Sequence, residues 1–386
     1  MSNGNLTIDL VQTEEEKTEF IAFQWEVYKD DPDWVPPLIS EVMDMMDKQH
    51  HPFYEHAEVD FFIARRDGKP VGTIAAILNE RHNDFQDEEV GFFGFFEVLD
   101  DREASDLLLE TASNWVRERG MKAVRGPASF STNEVIGLLV DGWNGPPVIL
   151  MSYNPKYYVD FIEGAGFEKA KDLLAYLVDL RPFGPAGEYL PEKLQRVARR
   201  VQERGGFTVR KMQMKDFDNE VRRFKEIYNS AWSKNWGFIP LTDAEINHMA
   251  ESLKQMVDPD LLVMAEKDGR PIGAMIPLPD LNQAFIRSYP HPKEPEWWTL
   301  LKTLWYWKVR GCVTTMRGFA GGVLEEYRGR GVEALLFMKM AQAACANYTH
   351  TEISWVLENN TMMRRTAEML NGHVYRTYRV YEKSLE

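Results

Sequence analysis

Two kinds of periodicity alternate along the chain and predict an α/β protein. Residues 14–28 and 218–233 carry apolar side chains at helical spacing. Phe61–Arg65 and Leu261–Glu266 are apolar runs that each lead into an Asp-Gly turn, a pattern typical of a β-hairpin. Hairpins followed by strand–helix–strand connections predict a mixed, mostly antiparallel sheet flanked by helices.

Three segments of the first half recur in the same order in the second half. Each pair shares its marker residues: a Trp followed by Pro and Leu, an Asp-Gly turn, or an Asn followed twelve positions later by Gly. A leading Asn and a terminal Gly predict an N-capped helix in each half. We therefore expect two tandem copies of one fold. The pairs are Trp34–Leu38 with Trp236–Leu241, Asp67–Ala76 with Asp268–Pro277, and Asn154–Gly166 with Asn360–Gly372.

The seam between the copies is predicted at the Pro- and Gly-rich stretch Arg181–Gly187. The helical pattern of Tyr189–Arg204 follows it and ends at a Gly pair. We expect an N-terminal domain at 1–183, a linker helix at 184–206 that bridges the copies, and a C-terminal domain at 207–386.

Composition narrows the function classes. The chain has 386 residues, more than one hydrophobic core usually serves, and a formal net charge of −15 that disfavours nucleic acid as a partner. It has no apolar run of membrane-spanning length and no signal-peptide pattern, so we expect a cytoplasmic protein without a membrane partner. The sequence does not indicate an oligomeric state.

Cysteines and histidines suggest no redox or metal chemistry. Cys312 and Cys345 are too few for a disulfide framework. His50, His51 and His56 form one cluster, but a proline interrupts its spacing and no second cluster completes a ligand set. We therefore expect no metal.

A glycine-rich turn in Gly321–Leu336 gives the sharpest chemical signal. The segment predicts a strand, a turn with two arginines, and a helix. Backbone amides and the positive end of a helix dipole would then point at one spot, which favours an anion such as a diphosphate. The turn matches neither a Walker loop nor the dinucleotide pattern G-x-G-x-x-G. An ordinary solvated loop fits the same spacing.

This order of elements, with Tyr327–Gly331 after the long strand, resembles the GNAT superfamily of acyl-CoA-dependent N-acyltransferases. The family pattern Arg/Gln-x-x-Gly-x-Gly/Ala falls on Arg328–Glu333, and Glu333 departs from it. Arg125–Glu134, Leu139–Pro147 and the Pro-Pro to Tyr-Asn-Pro run at Pro146–Pro155 resemble a bacterial subgroup of tandem GNAT-like proteins. The resemblance implies acetyl-CoA or another acyl-CoA as co-substrate. The implied cofactor-binding residues are Val323, Leu324, Glu325, Arg328, Gly329, Arg330, Gly331, Val332 and Asn360.

The N-terminal copy has lost this turn. Phe95–Leu108 passes from strand to helix without a glycine, and the turn is shorter than its counterpart. We expect no CoA in this copy, which then serves structure or substrate binding.

The catalytic groups are less well marked. GNAT enzymes often have a Tyr that acts as general acid seven positions after the helix-capping Asn, but this chain has Ala367 and Phe161 at those positions. Strand alternation and the expected cleft leave Glu326, Glu358 and Tyr381 as candidates for proton transfer. Solvated charges at strand ends explain the two glutamates equally well.

The expected function is acyl transfer, most simply acetyl transfer from acetyl-CoA to a small-molecule amine. Two alternatives stay open: a non-catalytic acyl-CoA or metabolite sensor or scaffold, and a Fem-type peptidyltransferase that uses aminoacyl-tRNA. An aromatic-rich insert near 294–310, with Trp297, Trp298, Trp305 and Trp307, is expected to pack a helix.

Overall fold

The computed structural model describes residues 4–386, apart from the side chain of Arg204. Regular elements follow one another closely in this part of the chain. The strands are β1 (Leu6–Leu10), β2 (Ala57–Arg66), β3 (Lys69–Asn79), β4 (Val90–Val98), β5 (Ala123–Gly126), β6 (Ala128–Ser129), β7 (Val135–Ile136), β8 (Leu138–Asp141), β9 (Glu168–Asp179), β10 (Phe207–Lys211), β11 (Val263–Lys267), β12 (Arg270–Pro279), β13 (Thr315–Val323), β14 (His350–Leu357) and β15 (His373–Ser384).

The helices alternate with these strands, as expected for an α/β protein. They are α1 (Glu14–Ala22), α2 (Gln24–Val27), α3 (Ile39–Met45), α4 (Glu80–Gln86), α5 (Arg102–Glu118), α6 (Tyr157–Gly164), α7 (Glu192–Gly205), α8 (Phe217–Trp232), α9 (Asp243–Leu253), α10 (Asn282–Ser288), α11 (Glu296–Leu304), α12 (Val332–Ala344) and α13 (Thr361–Met369). None of the helices described is long and apolar enough to cross a membrane.

Contacts divide the chain into two compact units, and neither unit is one continuous stretch. Unit 1 contains the chain up to Leu173, together with Asn282–Val309 and Arg376–Glu386. Unit 2 contains Leu174–Leu281 and Arg310–Tyr375. This division differs from the sequence-based one at 1–183, 184–206 and 207–386, because β9 and β15 each begin in one unit and end in the other.

Unit 1 is built on strands in the order β1-β2-β3-β4-β5-β15. Its pairs are antiparallel except β4 with β5, which run parallel. The β2–β3 turn uses Asp67 at φ 50° and Gly68 at φ 79°, the left-handed pair that a tight hairpin requires. Helix α5 buries Leu108, Ala112 and Val116 in the core against the sheet.

Unit 2 repeats this plan with strands in the order β9-β14-β13-β12-β11-β10. The β11–β12 turn uses Asp268 at φ 52° and Gly269 at φ 79°, almost the same angles as in unit 1. Strands β13 and β14 form its parallel pair. Matching hairpins and matching parallel pairs confirm that the chain contains two copies of one fold.

The expected linker helix is α7, and it belongs to unit 2. It packs against α12, where Val197 and Val201 lie next to Gly331. Its apolar side chains Leu194, Ala198 and Val201 are buried. The helix is therefore part of the C-terminal copy's own packing.

The two predicted Asn caps have different outcomes. Asn360 accepts the amide of Met363 at 3.1 Å and caps α13, as predicted. Asn154 does not cap α6; its side chain holds the backbone N–H and C=O of Leu139 at 2.8 and 3.1 Å. Pro155 disfavours helical angles at Asn154, and α6 begins only at Tyr157.

Candidate functional site

The parallel strands β13 and β14 separate part-way along their length. Their pairing runs from Thr315 with His350 to Gly318 with Ile353 and ends there. A cavity of about 390 Å³ lies in unit 2 along the separated ends. Diverging parallel strands expose unpaired backbone groups on facing edges, so this is a natural place for a ligand.

The walls of this cavity are mainly apolar. Both strands contribute to it, and α12 lines it from Glu333 to Ala341, a length of roughly 12 Å at the helical rise. The cavity therefore extends from the glycine-rich turn along the buried side of α12. Its apolar lining includes Phe183, Leu190, Trp232, Met316, Phe319, Val323, Leu336, Phe337, Met340, Ala341, Val356, Leu357, Met362 and Met363.

The glycine pair in β13 has a packing role. The irregularity in β13 comes earlier, because Ile276 pairs with Ala320 and Pro277 with Gly318, which leaves Phe319 without a partner in the β12–β13 register. Gly321 and Gly322 themselves pair in register with Met275 and Ala274. A Cβ at Gly322 would lie 2.5 Å from Cβ of Ala231, so glycine lets α8 approach the strand.

The predicted anion-binding turn has the expected backbone form. A 3-10 turn at Glu325–Tyr327 follows β13, then Gly329 and Gly331 adopt φ of +70° and +85°, and α12 begins at Val332. The first amides of a helix have no carbonyl partner within the helix and lie at the positive end of its dipole. The turn and α12 thus present donors suited to a phosphate group.

Arg328 points along the cavity wall. Its Nε donates to the carbonyl of Val323 at 3.2 Å, and its Nη2 donates to the carbonyl of Ala231. The side chain is half-buried and lines the cavity. Arg330 is exposed, and its guanidinium lies 5.5 Å from the ring centre of Tyr327.

Glu333 does not block the start of α12. No side chain caps this helix, and Oε1 of Glu333 is buried without a hydrogen-bond partner among the described residues. Its side chain lines the cavity together with Arg328. A carboxylate oxygen without a partner at a helix N-terminus raises the local negative potential where an anionic ligand would lie.

Strand residues expected to bind the pantetheine arm already have protein partners. The amide of Leu324 donates to Ile272 at 2.8 Å, and the carbonyl of Val323 accepts Arg328. Glu325 lies in the 3-10 turn, where an ion pair with Lys234 lowers the pKa of its carboxyl group. Only Val323 of these three lines the cavity.

The three catalytic candidates are not gathered around the cavity. Glu326 is exposed in the 3-10 turn and pairs with Arg270 at 2.9 Å, because β13 ends before it. Glu358 follows the last residue of β14, next to the cavity-lining Asn359 and Asn360. Tyr381 is buried in unit 1 and donates to Glu163 at 2.9 Å, since this part of β15 pairs with β5.

In unit 1, aromatic rings fill the region where the parallel strands β4 and β5 stop pairing, which corresponds to the cavity of unit 2. Its parallel pairing of β4 with β5 ends at Phe92 and Arg125, and the ring of Phe95 then packs 5.5 Å from Phe61 and 5.4 Å from Phe130. The start of α5 is occupied as well, because the Asp101 carboxylate accepts the amide of Ala104 at 3.2 Å.

A half-buried carboxylate in unit 1 was not predicted from the sequence. Glu97 accepts hydrogen bonds from the hydroxyl groups of Tyr28 at 2.9 Å and Tyr158 at 2.8 Å. Burial raises the pKa of Glu97 to about 7, against the lowering effect of both hydroxyl groups. The sequence signal was a single acid in the apolar strand Val90–Val98.

Comparisons with known proteins agree with this architecture. The bacterial ceramide synthase of Caulobacter vibrioides (strain NA1000 / CB15N) is 37% identical over 390 residues, which cover 100% of this chain and 99% of that protein. Protein YghO of Escherichia coli (strain K12) is 32% identical over 374 residues, which cover 95% and 92% of the two chains. No family model matches the chain.

Solved structures share the fold at low sequence identity. A tandem GNAT protein from the clavulanic acid biosynthesis pathway aligns with a TM-score of 0.57 and 11% identity, over 98% of both chains. A GCN5-related N-acetyltransferase from Anabaena variabilis aligns with a TM-score of 0.51 and 8% identity, over 99% of this chain and 73% of that one. The chain therefore has a tandem GNAT fold and belongs to the same protein family as the Caulobacter bacterial ceramide synthase and YghO.

Proposed function

We propose that this protein transfers a long fatty acyl group from acyl-CoA to the amino group of a long-chain amine, and that the transfer takes place in unit 2. The cavity along α12 is the observation that carries this proposal. Its walls offer apolar side chains such as Leu336, Phe337 and Met340 over roughly 12 Å. An acetyl group would leave most of that wall without a contact, whereas an alkyl chain would cover it.

The glycine-rich turn supports acyl-CoA as the donor. Gly329 and Gly331 hold the backbone in the left-handed region, which brings the amides around α12 to one side. We propose that the amides of Gly329, Gly331 and Val332 hold the diphosphate of CoA, since the amide of Arg330 already donates to the carbonyl of Tyr327 at 3.4 Å. Arg328 would then exchange its carbonyl partners for a phosphate oxygen, and the exposed Arg330 would add positive charge.

The named relative supports the acceptor. A ceramide is the amide formed between a fatty acid and the amino group of a long-chain base. The Caulobacter protein is named a bacterial ceramide synthase and matches this chain along its full length. We propose the same class of acceptor here, in place of the small amine that the sequence suggested.

The chemistry is a thioester aminolysis. The neutral amine attacks the thioester carbonyl, the tetrahedral oxyanion collapses, CoA leaves as its thiolate, and the amine nitrogen loses one proton. We propose Glu358 as the proton acceptor, because it directly precedes the cavity-lining Asn359 and Asn360. Since CoA thioesters are intracellular metabolites, we also propose a cytoplasmic location.

Binding without turnover is the second candidate function. Two observations favour it: Glu333 keeps a buried, unpaired carboxylate oxygen at the diphosphate site, and Ala367 stands where GNAT enzymes often place a catalytic tyrosine. An acyl-CoA sensor needs the cavity and no proton acceptor.

One assay separates these functions. Purified protein is given palmitoyl-CoA or acetyl-CoA with sphinganine, and CoA release is followed with a thiol reagent while the amide is identified by mass spectrometry. We expect turnover with palmitoyl-CoA at least about tenfold faster than with acetyl-CoA. Faster turnover with acetyl-CoA would overturn the fatty acyl assignment, and binding of palmitoyl-CoA without amide formation would favour the sensor.

Two variants test the residues. Arg328→Ala should weaken palmitoyl-CoA binding by roughly tenfold, because it removes a charge-assisted hydrogen bond to phosphate. Arg270→Ala is the matched control, since this arginine pairs with the exposed Glu326 and does not line the cavity. Glu358→Gln should lower kcat and leave binding unchanged. If Arg328→Ala and the unaltered protein bound palmitoyl-CoA equally well, the glycine-rich turn would not be the binding site of the diphosphate.

A further inference from the structure

One short segment of unit 1 carries most of the large apolar side chains that are exposed. Within the described residues, seven of the thirteen exposed large apolar side chains lie between residues 297 and 309. They occupy α11 and the π-helical turn Trp305–Val309 that continues it. We call this set the tryptophan face: Trp297, Trp298, Leu300, Leu301, Leu304, Trp305 and Val309.

Helix α11 is amphipathic, but the side that it buries is the polar one. Its buried residues are Thr299 and Thr303, at 1% and 5% exposure. Thr303 Oγ1 donates to the carbonyl of Thr299 at 2.9 Å and is 2.7 Å from Oγ of Ser288 on α10. A helix on a water-exposed surface normally buries its apolar side and solvates its polar side. Here the polar side is buried and hydrogen-bonded, and the apolar side is outside.

This arrangement limits the expectation that the aromatic insert packs a helix, because most of its large apolar side chains face solvent. Trp297 is 63% exposed and Leu301, one helical turn later, is 52% exposed. Leu304 and Trp305 continue the same side at helical spacing. A contiguous apolar surface of this kind indicates a partner that removes it from water.

Charge around the tryptophan face favours an anionic partner. Three lysines stand in residues 293–308, although the chain as a whole has a net charge of −15. Lys302 pairs with Glu294 at 2.8 Å, and Glu296 accepts the amide of Ser40 at 3.0 Å. Lys293 and Lys308 are exposed at the two ends of the segment and form no ion pair among the described residues. Lys308 lies 3.5 Å from the ring centre of Trp307.

We propose that the tryptophan face is a docking surface for the interface of a lipid bilayer that contains anionic lipids. Tryptophan and leucine on one side of a helix, with lysines beside them, are the composition of helices that lie in the headgroup region. The core of a protein–protein interface is depleted in lysine, which makes a second copy of this chain the weaker fit. The inference revises the expectation of no membrane partner, and it does not depend on the proposed chemistry.

The test uses the full chain and sedimentation with vesicles. The vesicles are phosphatidylcholine alone, or phosphatidylcholine mixed with phosphatidylglycerol. We expect binding that is stronger with phosphatidylglycerol and is weakened by salt. The double variant Trp297→Ser, Leu301→Ser should lower the partition coefficient by at least about tenfold. The matched control is Phe85→Ser, Tyr189→Ser, which removes two exposed apolar side chains elsewhere.

A charge variant keeps the test valid if the apolar variant fails to fold. Lys293→Glu, Lys308→Glu should lose roughly fivefold or more of its affinity for the mixed vesicles and little for phosphatidylcholine alone. Brominated acyl chains should also quench the tryptophan fluorescence of the unaltered protein. Two results would overturn the proposal: no vesicle binding by the unaltered protein, or a concentration-dependent dimer that the Trp297→Ser, Leu301→Ser variant abolishes while vesicles stay unbound.

Discussion

Gly331 packs directly against Val201: a Cβ at position 331 would lie 2.7 Å from Cγ2 of Val201. Gly331 also has φ of +85°. Position 331 therefore requires glycine twice, for its backbone angle and for the approach of α7. Gly329 has φ of +70° but no atom within 4 Å of the equivalent point.

These two glycines give a matched pair of substitutions. Gly329→Ala should lower the free energy of unfolding by about 1 kcal/mol, the cost of a left-handed L-residue. Gly331→Ala should lower it by roughly 2–4 kcal/mol, because overpacking against Val201 adds to that cost. Urea unfolding of both variants measures the difference. Equal losses of unfolding free energy in the two variants would show that α7 can move to accommodate the added methyl group at no energetic cost.

The Glu97 carboxyl group should make stability depend on pH. Its pKa is raised from the ordinary 4.5 to about 7 in the folded protein, so folding favours the protonated form. The contribution of Glu97 to the free energy of unfolding is then fully present below about pH 4.5 and is lost as the pH rises through about 7. This contribution is at most roughly 3 kcal/mol.

Glu97→Gln tests this dependence because an amide oxygen can still accept the hydroxyl groups of Tyr28 and Tyr158. We expect the stability of this variant, measured by urea unfolding, to fall less between about pH 5 and 8 than that of the unaltered protein. Glu110→Gln, an exposed position on α5, serves as the control and should follow the unaltered protein. A Glu97→Gln curve parallel to that of the control would contradict the pKa shift.

Glu333 should weaken the binding of acyl-CoA. Its carboxylate, of which Oε1 has no hydrogen-bond partner among the described residues, lies in the first turn of α12, where it opposes a bound phosphate. Glu333→Gln should therefore lower the Kd of palmitoyl-CoA by roughly three- to tenfold, measured by isothermal titration at low and high salt. Glu326→Gln, which removes an exposed and paired carboxylate from the 3-10 turn before α12, should change the Kd little. Weaker binding by Glu333→Gln would mean that this side chain contacts the ligand favourably.

Ala341 should set the length of acyl chain that the cavity accepts. It is buried and lines the cavity two helical turns beyond Glu333. Ala341→Phe should raise KM for palmitoyl-CoA by about tenfold and leave shorter donors such as hexanoyl-CoA nearly unaffected. Competition kinetics with both donors measures the change, and an equal loss for both would indicate damage to the fold.

The fold was readable from the sequence wherever local chemistry decides it. Asp67-Gly68 and Asp268-Gly269 dictate tight hairpins, and these turns were one of the three matches that revealed the duplication. Unit boundaries were not readable, because contacts between distant segments place the helical residues 282–309 in unit 1, and pairing with β5 places the chain end there. No local pattern encodes such pairing.

The site was readable in part for the same reason. Backbone features such as Gly329, Gly331 and the Asn360 cap depend on nearby residues, and they were found. The orientation of Tyr381 depends on which strand β15 joins, and the cavity depends on where β13 and β14 separate. Helix α11 was misjudged because helical spacing marks an apolar side but does not say whether that side faces the core or the surface.

The last strand of the chain completes the sheet of the first copy. Tyr381–Ser384 of β15 pair antiparallel with Ala123–Gly126 of β5. A fragment that stops at residue 183 would leave β5 with a row of unbonded amides and carbonyls, which invites aggregation. A deletion at the C-terminus of the chain would therefore damage the first copy as well as the second, so the two copies cannot be separated by a single cut.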